Sequence, residues 1–345
     1  MNILAIETSC DETSAAIIKD GTGILSNIVS SQTEFHKKYG GIVPEVASRK
    51  HIEAISPVIK EAMDVSGKSF KDIDGVAVTF GPGLPGSLIV GLSAAKAISF
   101  ALKKPLIGVN HLEGHIYANF LKKNTEHGTQ NTEHRNNISF PFLCLIVSGG
   151  HTQIVLVKDH CEYETLGRTR DDAAGEAFDK VARFLGLGYP GGPIIDELAK
   201  QGNPDAIDFK RPMLGEDNYD FSFSGIKTAV VYYVKKLTSD KLLATSPDLV
   251  ASFQKSVVDT LVGKTLRAAK EKGIKTVVLA GGVSANSLLR KSLKEECEKE
   301  NIACKIPPIE LCTDNAAMIG CAGYHRYKKG LVSDYSLGIN SVAKL

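Results

Sequence analysis

At 345 residues the chain is long enough for two domains with separate cores. A composition of 43% hydrophobic and 23% charged residues excludes disorder and a fibrous fold. With 41 basic against 39 acidic residues the net charge is +2, so any contact with RNA has to come from a local basic surface rather than the global field. The seven cysteines (Cys10, Cys144, Cys161, Cys297, Cys304, Cys312, Cys321) are scattered and form no C-x-x-C pair, which speaks against a disulfide framework or a cysteine-rich zinc site. Met1–Glu7 carries no basic region before its apolar run, and no stretch reads as long and apolar enough to span a bilayer. A soluble cytoplasmic protein with reduced thiols is expected.

Asn2–Ile6 and Ala15–Lys19 read as strands joined by the polar turn Glu7–Ser14. Gly75–Phe80 reads as a buried strand, Gly81–Gly86 as a glycine-rich loop, Ser87–Leu102 as a helix with few polar positions, and Pro105–Asn110 as a strand. Lys122–Asn137 holds Asn-Thr-Glu-His twice, and its polarity without apolar period predicts an exposed loop in which His127 and His134 are solvated. Phe142–Val147 and Thr152–Val157 repeat the opening hairpin around Ser148-Gly149-Gly150-His151, which suggests two related lobes. A helix around Leu249–Lys272, with Phe253, Val257, Leu261 and Leu266 near helical spacing, precedes strand Lys275–Ala280 and helix Ser284–Lys299. Alternating strands and helices define the class as α/β. The expected division is one lobe of 1–110 plus 312–345 and a second of 111–311, which contains the insertion at 122–137.

Three motifs fail on inspection. Gly81-Pro82-Gly83-Leu84-Pro85-Gly86 matches G-x-G-x-x-G, but no acidic residue lies between Gly75 and Asn110 to hold a ribose, and the prolines remove donors; a tight structural turn is the better reading. Gly263-Lys264-Thr265 lacks the first glycine of a phosphate loop, Val258 standing there, and lies in a periodic helix. Phe221-Ser222-Phe223-Ser224-Gly225 lacks the leading glycine of a nucleophile elbow.

Other segments carry chemistry. His111-Leu112-Glu113-Gly114-His115 places two imidazoles at i and i+4, on one helix face, where they can grip one metal ion. In zinc proteases the glutamate directly follows the first histidine; Glu113 lies two residues on and faces elsewhere, which disfavours a protease. Asp314, opening the apolar helix Ala316–Gly323, offers a third ligand or a simple N-cap. The glycine pairs in Val147–His151 and Leu279–Asn286 let backbone amides approach a phosphate, the second running into a helix N-terminus. With the N-terminal polar hairpin they suggest a nucleotide held by hairpin turns. Asp171-Asp172 read as helix-capping acids; Asp179 and Asp196 flank the glycine-rich turn Tyr189–Pro193 and suit the paired hydroxyls of a ribose, or are solvated helix residues.

Together these segments resemble the tRNA N6-adenosine threonylcarbamoyltransferase family, whose members were once labelled O-sialoglycoprotein endopeptidases. The resemblance covers nearly the whole chain, through Ile6–Thr13, Gly40–Arg49, Gly81–Leu84, His111–His115, Val147–Thr152, Asp171–Lys180, Phe221–Lys227, Ala280–Asn286 and Thr313–Ala317. It implies two RNase-H-like lobes of the actin/Hsp70/sugar-kinase type with an interlobe cleft. It also implies one divalent metal ion, Fe2+ in preference to Zn2+ or Mg2+, on His111, His115 and Asp314, and an adenylate against Ile146, Val147, Ser148, Gly149, Gly150, Asp179, Gly192, Asp196 and Asn286. The implied reaction moves a threonylcarbamoyl group from its adenylate to an adenosine of tRNA, with a paralogous subunit and a small ATPase as partners. Asp11 and Glu12 are the acids expected near the chemistry, and Lys227 faces either RNA phosphate or water. The competing readings are a metal-dependent glycoprotein endopeptidase, a non-catalytic nucleotide-binding scaffold and a small-molecule kinase.

Overall fold

The computed structural model describes residues 1–122, 138–237 and 239–345, with the side chains of positions 239–246 left aside. The stretch 123–137, with His127 and His134, lies outside the described residues. The chain forms two compact units, Met1–Ile138 with Asp159–Glu162 and Thr313–Leu345, and Ser139–Lys158 with Tyr163–Cys312.

In the first unit β1 (Asn2–Glu7), β2 (Glu12–Lys19), β3 (Gly23–Ser31), β4 (Gly75–Gly81) and β5 (Leu106–Asn110) form one sheet in the order β3-β2-β1-β4-β5. The β1–β2 and β2–β3 pairs are antiparallel, while β1–β4 and β4–β5 are parallel. Ile3–Ile6 and Ala15–Ile18 are fully buried, as expected of strands covered on both faces. After the short α1 (Thr33–Lys37), helices α2 (Pro44–Ser66) and α3 (Pro85–Leu102) build a core from Ile55, Ile59, Ala62, Leu92 and Ala95 against Ile6, Val76 and Val78. Helix α10 (Ala316–Lys328) packs on β1, β2, β4 and β5, and also on α4 (His111–Tyr117). The segment opening at His111 therefore lies in the first unit, whereas the sequence reading put it in the second; packing of its helix against α10 is the reason.

By length and composition α3 is apolar enough to cross a membrane, which corrects the expectation that no stretch would be. Its Leu88, Leu92 and Ala95 are buried, and it packs on α2 and β4 as a core helix.

In the second unit β6 (Phe142–Val147), β7 (Thr152–Asp159), β8 (Glu162–Arg168), β9 (Thr276–Ala280) and β10 (Ala303–Lys305) follow the order β10-β9-β6-β7-β8. The arrangement repeats the first sheet: an antiparallel hairpin on one side, parallel β9 and β10 on the other. Its core gathers Phe178 of α5 (Ala174–Phe184), Phe221, Phe223, and Phe253 and Leu261 of α8 (Ser239–Glu271). The Phe178 and Phe253 rings meet edge to face at 5.3 Å. All seven cysteines are free thiols.

Candidate metal centre and glycine-rich turns

The first unit builds its site from the ends of β1, α4 and α10. Asn110 caps α4, its side chain accepting from Leu112 N at 2.9 Å, so the helix begins at His111 itself. Asn315, not Asp314, caps α10, accepting from Met318 N at 3.1 Å. That leaves the Asp314 carboxylate to face the histidines. His111 Nε2 lies 3.4 Å and His115 Nε2 3.2 Å from Asp314 Oδ1. One ligand atom from each of the three residues falls within 4.8 Å of the others, a cluster able to hold a metal ion.

The donor set fits such an ion. Among the described residues His115 Nδ1 is buried with no hydrogen-bond partner, and Nε2 has only Asp314 Oδ1, 3.2 Å away and off hydrogen-bond geometry, which is costly unless something else is bound. His111 is oriented from behind, its Nδ1 lying 3.0 Å from Glu7 Oε2 and 3.1 Å from Ser9 Oγ. Glu7 is fully buried, accepts from Thr79 Oγ1 at 2.6 Å and takes the Ser9 amide on its other oxygen. Burial opposes its charge, but His111 beside it holds the carboxyl below the usual range. On His111 burial is outweighed by Asp314 and Glu7, which lift it to about 9, while burial keeps His115 low. A carboxylate behind a ligating imidazole is the usual support of a metal-bound histidine. The sequence reading missed Glu7; its place as the one charged residue ending an otherwise apolar strand was the available signal.

The turn after β1 stands beside this cluster. Gly83 closes on it so tightly that a Cβ there would lie 2.5 Å from Ser9 O, and Leu84 N donates to that oxygen at 2.8 Å, which makes Gly81–Gly86 a structural turn. His51 of α2 braces the turn, Nε2 at 2.9 Å from Cys10 O and Nδ1 at 2.7 Å from Thr13 Oγ1. Asp11 is buried, and Glu12 accepts from Ser31 Oγ at 3.2 Å. Burial, then the charges of Asp11 and Asp314, push Glu12 well above the carboxylate range.

Glu113 is fully buried and paired with Arg326 at 3.1 Å, so it cannot serve as the base of a metalloprotease.

The second unit brings the other predicted residues to the ends of β6 and β9 and the starts of three helices. Ile146 and Val147 are buried in β6, while Gly149 and Gly150 are exposed with no heavy atom within 4 Å of an added Cβ. Ser148 O accepts from Gly175 N at 3.2 Å, tying the turn to the start of α5. Asp179 Oδ1 accepts from Gly191 N at 2.7 Å at the start of α6 (Gly191–Ala199), beside Gly192. Asp196 of α6 accepts from Ser287 N at 3.1 Å and Ser287 Oγ at 2.8 Å. Asn286 caps α9 (Ser287–Lys299) through Leu289 N and donates to Gln254 Oε1 at 2.8 Å. Asp179, Gly192, Asp196 and Asn286 thus share the α6/α9 side, with the glycine turn at the α5 end.

One expectation changes. Asp171 and Asp172 do not cap α5, whose N-cap is Ala173: Asp171 accepts from Ser222 Oγ, Phe223 N and both Ser224 donors, and Asp172 holds Lys180 and Lys227. Lys227 pairs with Asp172 at 3.0 Å while its side chain stays partly exposed. Lys264 is buried inside α8 and donates to Asn218 O at 2.9 Å, in keeping with the rejected phosphate loop.

Solved structures share this fold. HypF from T. kodakarensis aligns over 96% of this chain and 49% of its own, at 14% identity and a TM-score of 0.63. The activator of the 2-hydroxyisocaproyl-CoA dehydratase from Clostridium difficile aligns over 97% and 99%, at 14% identity and a TM-score of 0.53. The class is thus a two-lobed α/β fold of the actin/sugar-kinase type, with a histidine–carboxylate cluster in its first unit. Residues 23–321 match the family described as tRNA N6-adenosine threonylcarbamoyltransferase. The protein of that name from Clostridium botulinum (strain 657 / Type Ba4) is 55% identical over 100% of this chain and 97% of its own, and that from Thermosipho africanus 54% over 98% of each. The chain belongs to this family: it is a transferase that modifies tRNA.

Proposed function

We propose that this transferase moves the threonylcarbamoyl group from threonylcarbamoyl adenylate to the exocyclic N6 of the adenosine next to the anticodon, in tRNAs reading codons that begin with A. The observation that carries the reading is the convergence of His111 and His115 on Asp314 in a chain of this family. These three residues would hold one divalent ion per subunit, Fe2+ before Zn2+ or Mg2+, since two imidazoles and a carboxylate are the ligand set of non-haem iron(II) sites. When bound, such an ion supplies Lewis-acid stabilisation of negative charge on acyl or phosphate oxygens.

The chain's own residues do the remainder. The open turn Ser148-Gly149-Gly150, with the backbone of Ile146 and Val147 behind it, offers amide donors to a phosphate. Asp179, Asp196, Gly192 and Asn286 retain acceptors and a backbone edge for ribose and base. Glu12, its basicity raised by burial and by Asp11, is the proton acceptor for the adenosine amine, with Asp11 positioning it. Near-neutral net charge fits a tRNA surface shared with a paralogous subunit and a small ATPase subunit, in the cytoplasm.

The test is to incubate the protein with unmodified tRNA, the synthase that makes the adenylate, threonine, bicarbonate and ATP, with and without the partner subunits, and to digest the tRNA for nucleoside mass spectrometry. Threonylcarbamoyladenosine that vanishes with His111→Ala is the expected result. Its absence from every mixture overturns the reading.

A further inference from the structure

The metal reading uses two of the five residues in His111-Leu112-Glu113-Gly114-His115, yet the whole motif is buried. Glu113 projects to another side of α4, where its Oε2 accepts from Arg326 Nη1 at 3.1 Å, with side-chain exposures of 1% and 24%. Arg326 stands in the last turn of α10, the helix whose first residues follow Asp314. Between these points Gly114 lies against α10 so closely that a Cβ would stand 2.6 Å from Ile319 Cδ1 and 3.2 Å from Met318 Cγ. The helix with two candidate ligands and the helix with the third are therefore held together by a directional ion pair and by a close approach at Gly114, where a larger residue would have to displace the Ile319 and Met318 side chains.

We propose that Glu113, through Arg326, is a positioning residue that sets the register of α4 on α10 and so brings His111 and His115 to Asp314. This rests on the metal reading of the preceding section. Apolar helix contacts tolerate sliding, because their energy depends weakly on direction. A carboxylate–guanidinium pair is directional: a slipped register draws the buried Glu113 carboxylate away from the guanidinium that compensates its charge. Metal ligands tolerate only about 0.2 Å of displacement, so a small slip is enough to cost affinity.

The test measures Zn2+ affinity of metal-stripped protein by competition with a chromophoric chelator, with circular dichroism to confirm folding. The set is wild type, Glu113→Gln, Glu113→Ala, Arg326→Met, Arg326→Lys, the Glu113→Gln/Arg326→Met double variant, and His115→Ala as a ligand control. Loss of the pair is expected to weaken Zn2+ binding by about 10- to 100-fold in Glu113→Gln, Glu113→Ala and Arg326→Met. Arg326→Lys, which keeps the charge, is expected to retain most of the affinity, and the double variant, with no charge stranded, to recover part of it. Folded single variants within about twofold of wild type overturn the proposal, as the pair then only stabilises the fold. If the singles do not fold, the double decides, and full wild-type affinity in it overturns the proposal. Absence of Zn2+ binding by wild type itself removes the metal reading and the proposal with it, an outcome distinct from variants that bind as well as wild type.

Discussion

The Glu7 carboxylate lies 3.0 Å from His111 Nδ1, so the last residue of the first strand sets the ring orientation of a residue more than a hundred positions further on. With Nδ1 engaged, Nε2 is the nitrogen presented to Asp314. Glu7→Gln keeps the shape but removes the charge behind the ring. Its metal affinity is expected to fall by about 10- to 100-fold with the fold retained, measured by chelator competition and circular dichroism. Unchanged affinity removes Glu7 from the support of the site.

Metal should also show in stability. A ligand that binds only the folded chain stabilises it by about 2.7 kcal/mol at a hundredfold excess over its dissociation constant. Adding Zn2+ to stripped wild type is expected to raise the melting temperature, and adding it to His115→Ala is not. Differential scanning calorimetry at two metal concentrations reads this directly, and an equal rise in both proteins places the ion elsewhere.

A second histidine cluster predicts acid sensitivity. The His325 ring stacks on His160 at 3.8 Å and on Tyr117 at 5.1 Å, while Tyr117 Oη and His160 Nδ1 lie 2.9 Å apart. Burial, then His160, push His325 down to about 4 from an ordinary value of 6.5. The unfolded chain therefore takes up the proton first, and stability is lost as pH falls from about 6.5 towards 4. His325→Phe keeps the stack without the proton. Its advantage over wild type should grow by about 1–2 kcal/mol across that window, after allowance for partial exposure. Urea unfolding at pH 7.5, 6.0 and 4.5 checks it; parallel curves refute the assignment.

Asp171 behaves in the opposite sense. It accepts from Ser222 Oγ, from Phe223 N at 2.8 Å, and from both Ser224 donors, which hold its carboxyl below the usual range against burial. This stabilisation is present above the unfolded value near 4 and fades as pH falls below it. Asp171→Ala is expected to cost about 1–2 kcal/mol at pH 7, with the difference from wild type shrinking as pH falls from 7 to 3. A constant difference at both pH values rules out the charged form as the cause.

Legibility differed between elements for physical reasons. Strands β1, β4, β6 and β9 were readable because both faces are buried, giving continuous apolar runs. Strand β8, Glu-Tyr-Glu-Thr-Leu-Gly-Arg, escaped notice because it is an exposed sheet edge with little apolar content. Helix α2 was missed with Pro57 in its middle, and α7 (Ser224–Val234) was left unassigned because its β-branched residues and tyrosines carry little helix preference; in both, tertiary packing overrides local preference. Of the metal cluster, the pair at i and i+4 was visible from spacing. Asp314 became distinguishable from a cap only once Asn315 was seen capping α10. The partners of Glu7, Glu113 and Lys227 come from distant segments, so spacing held no trace of them.

The position of α10 in the chain bears on how the molecule is made. The helix covers β1, β2, β4 and β5 and follows Asp314, yet it is translated only after the whole of the second unit. A nascent chain on the ribosome thus carries an N-terminal sheet with one apolar face bare while some two hundred further residues are added. Synthesis exposes that face to chaperones and to wrong partners, and arrival of the last helix both buries it and completes the three-residue cluster. A product truncated before residue 314 would lack the third residue of that cluster as well as the covering helix, leaving the first sheet aggregation-prone.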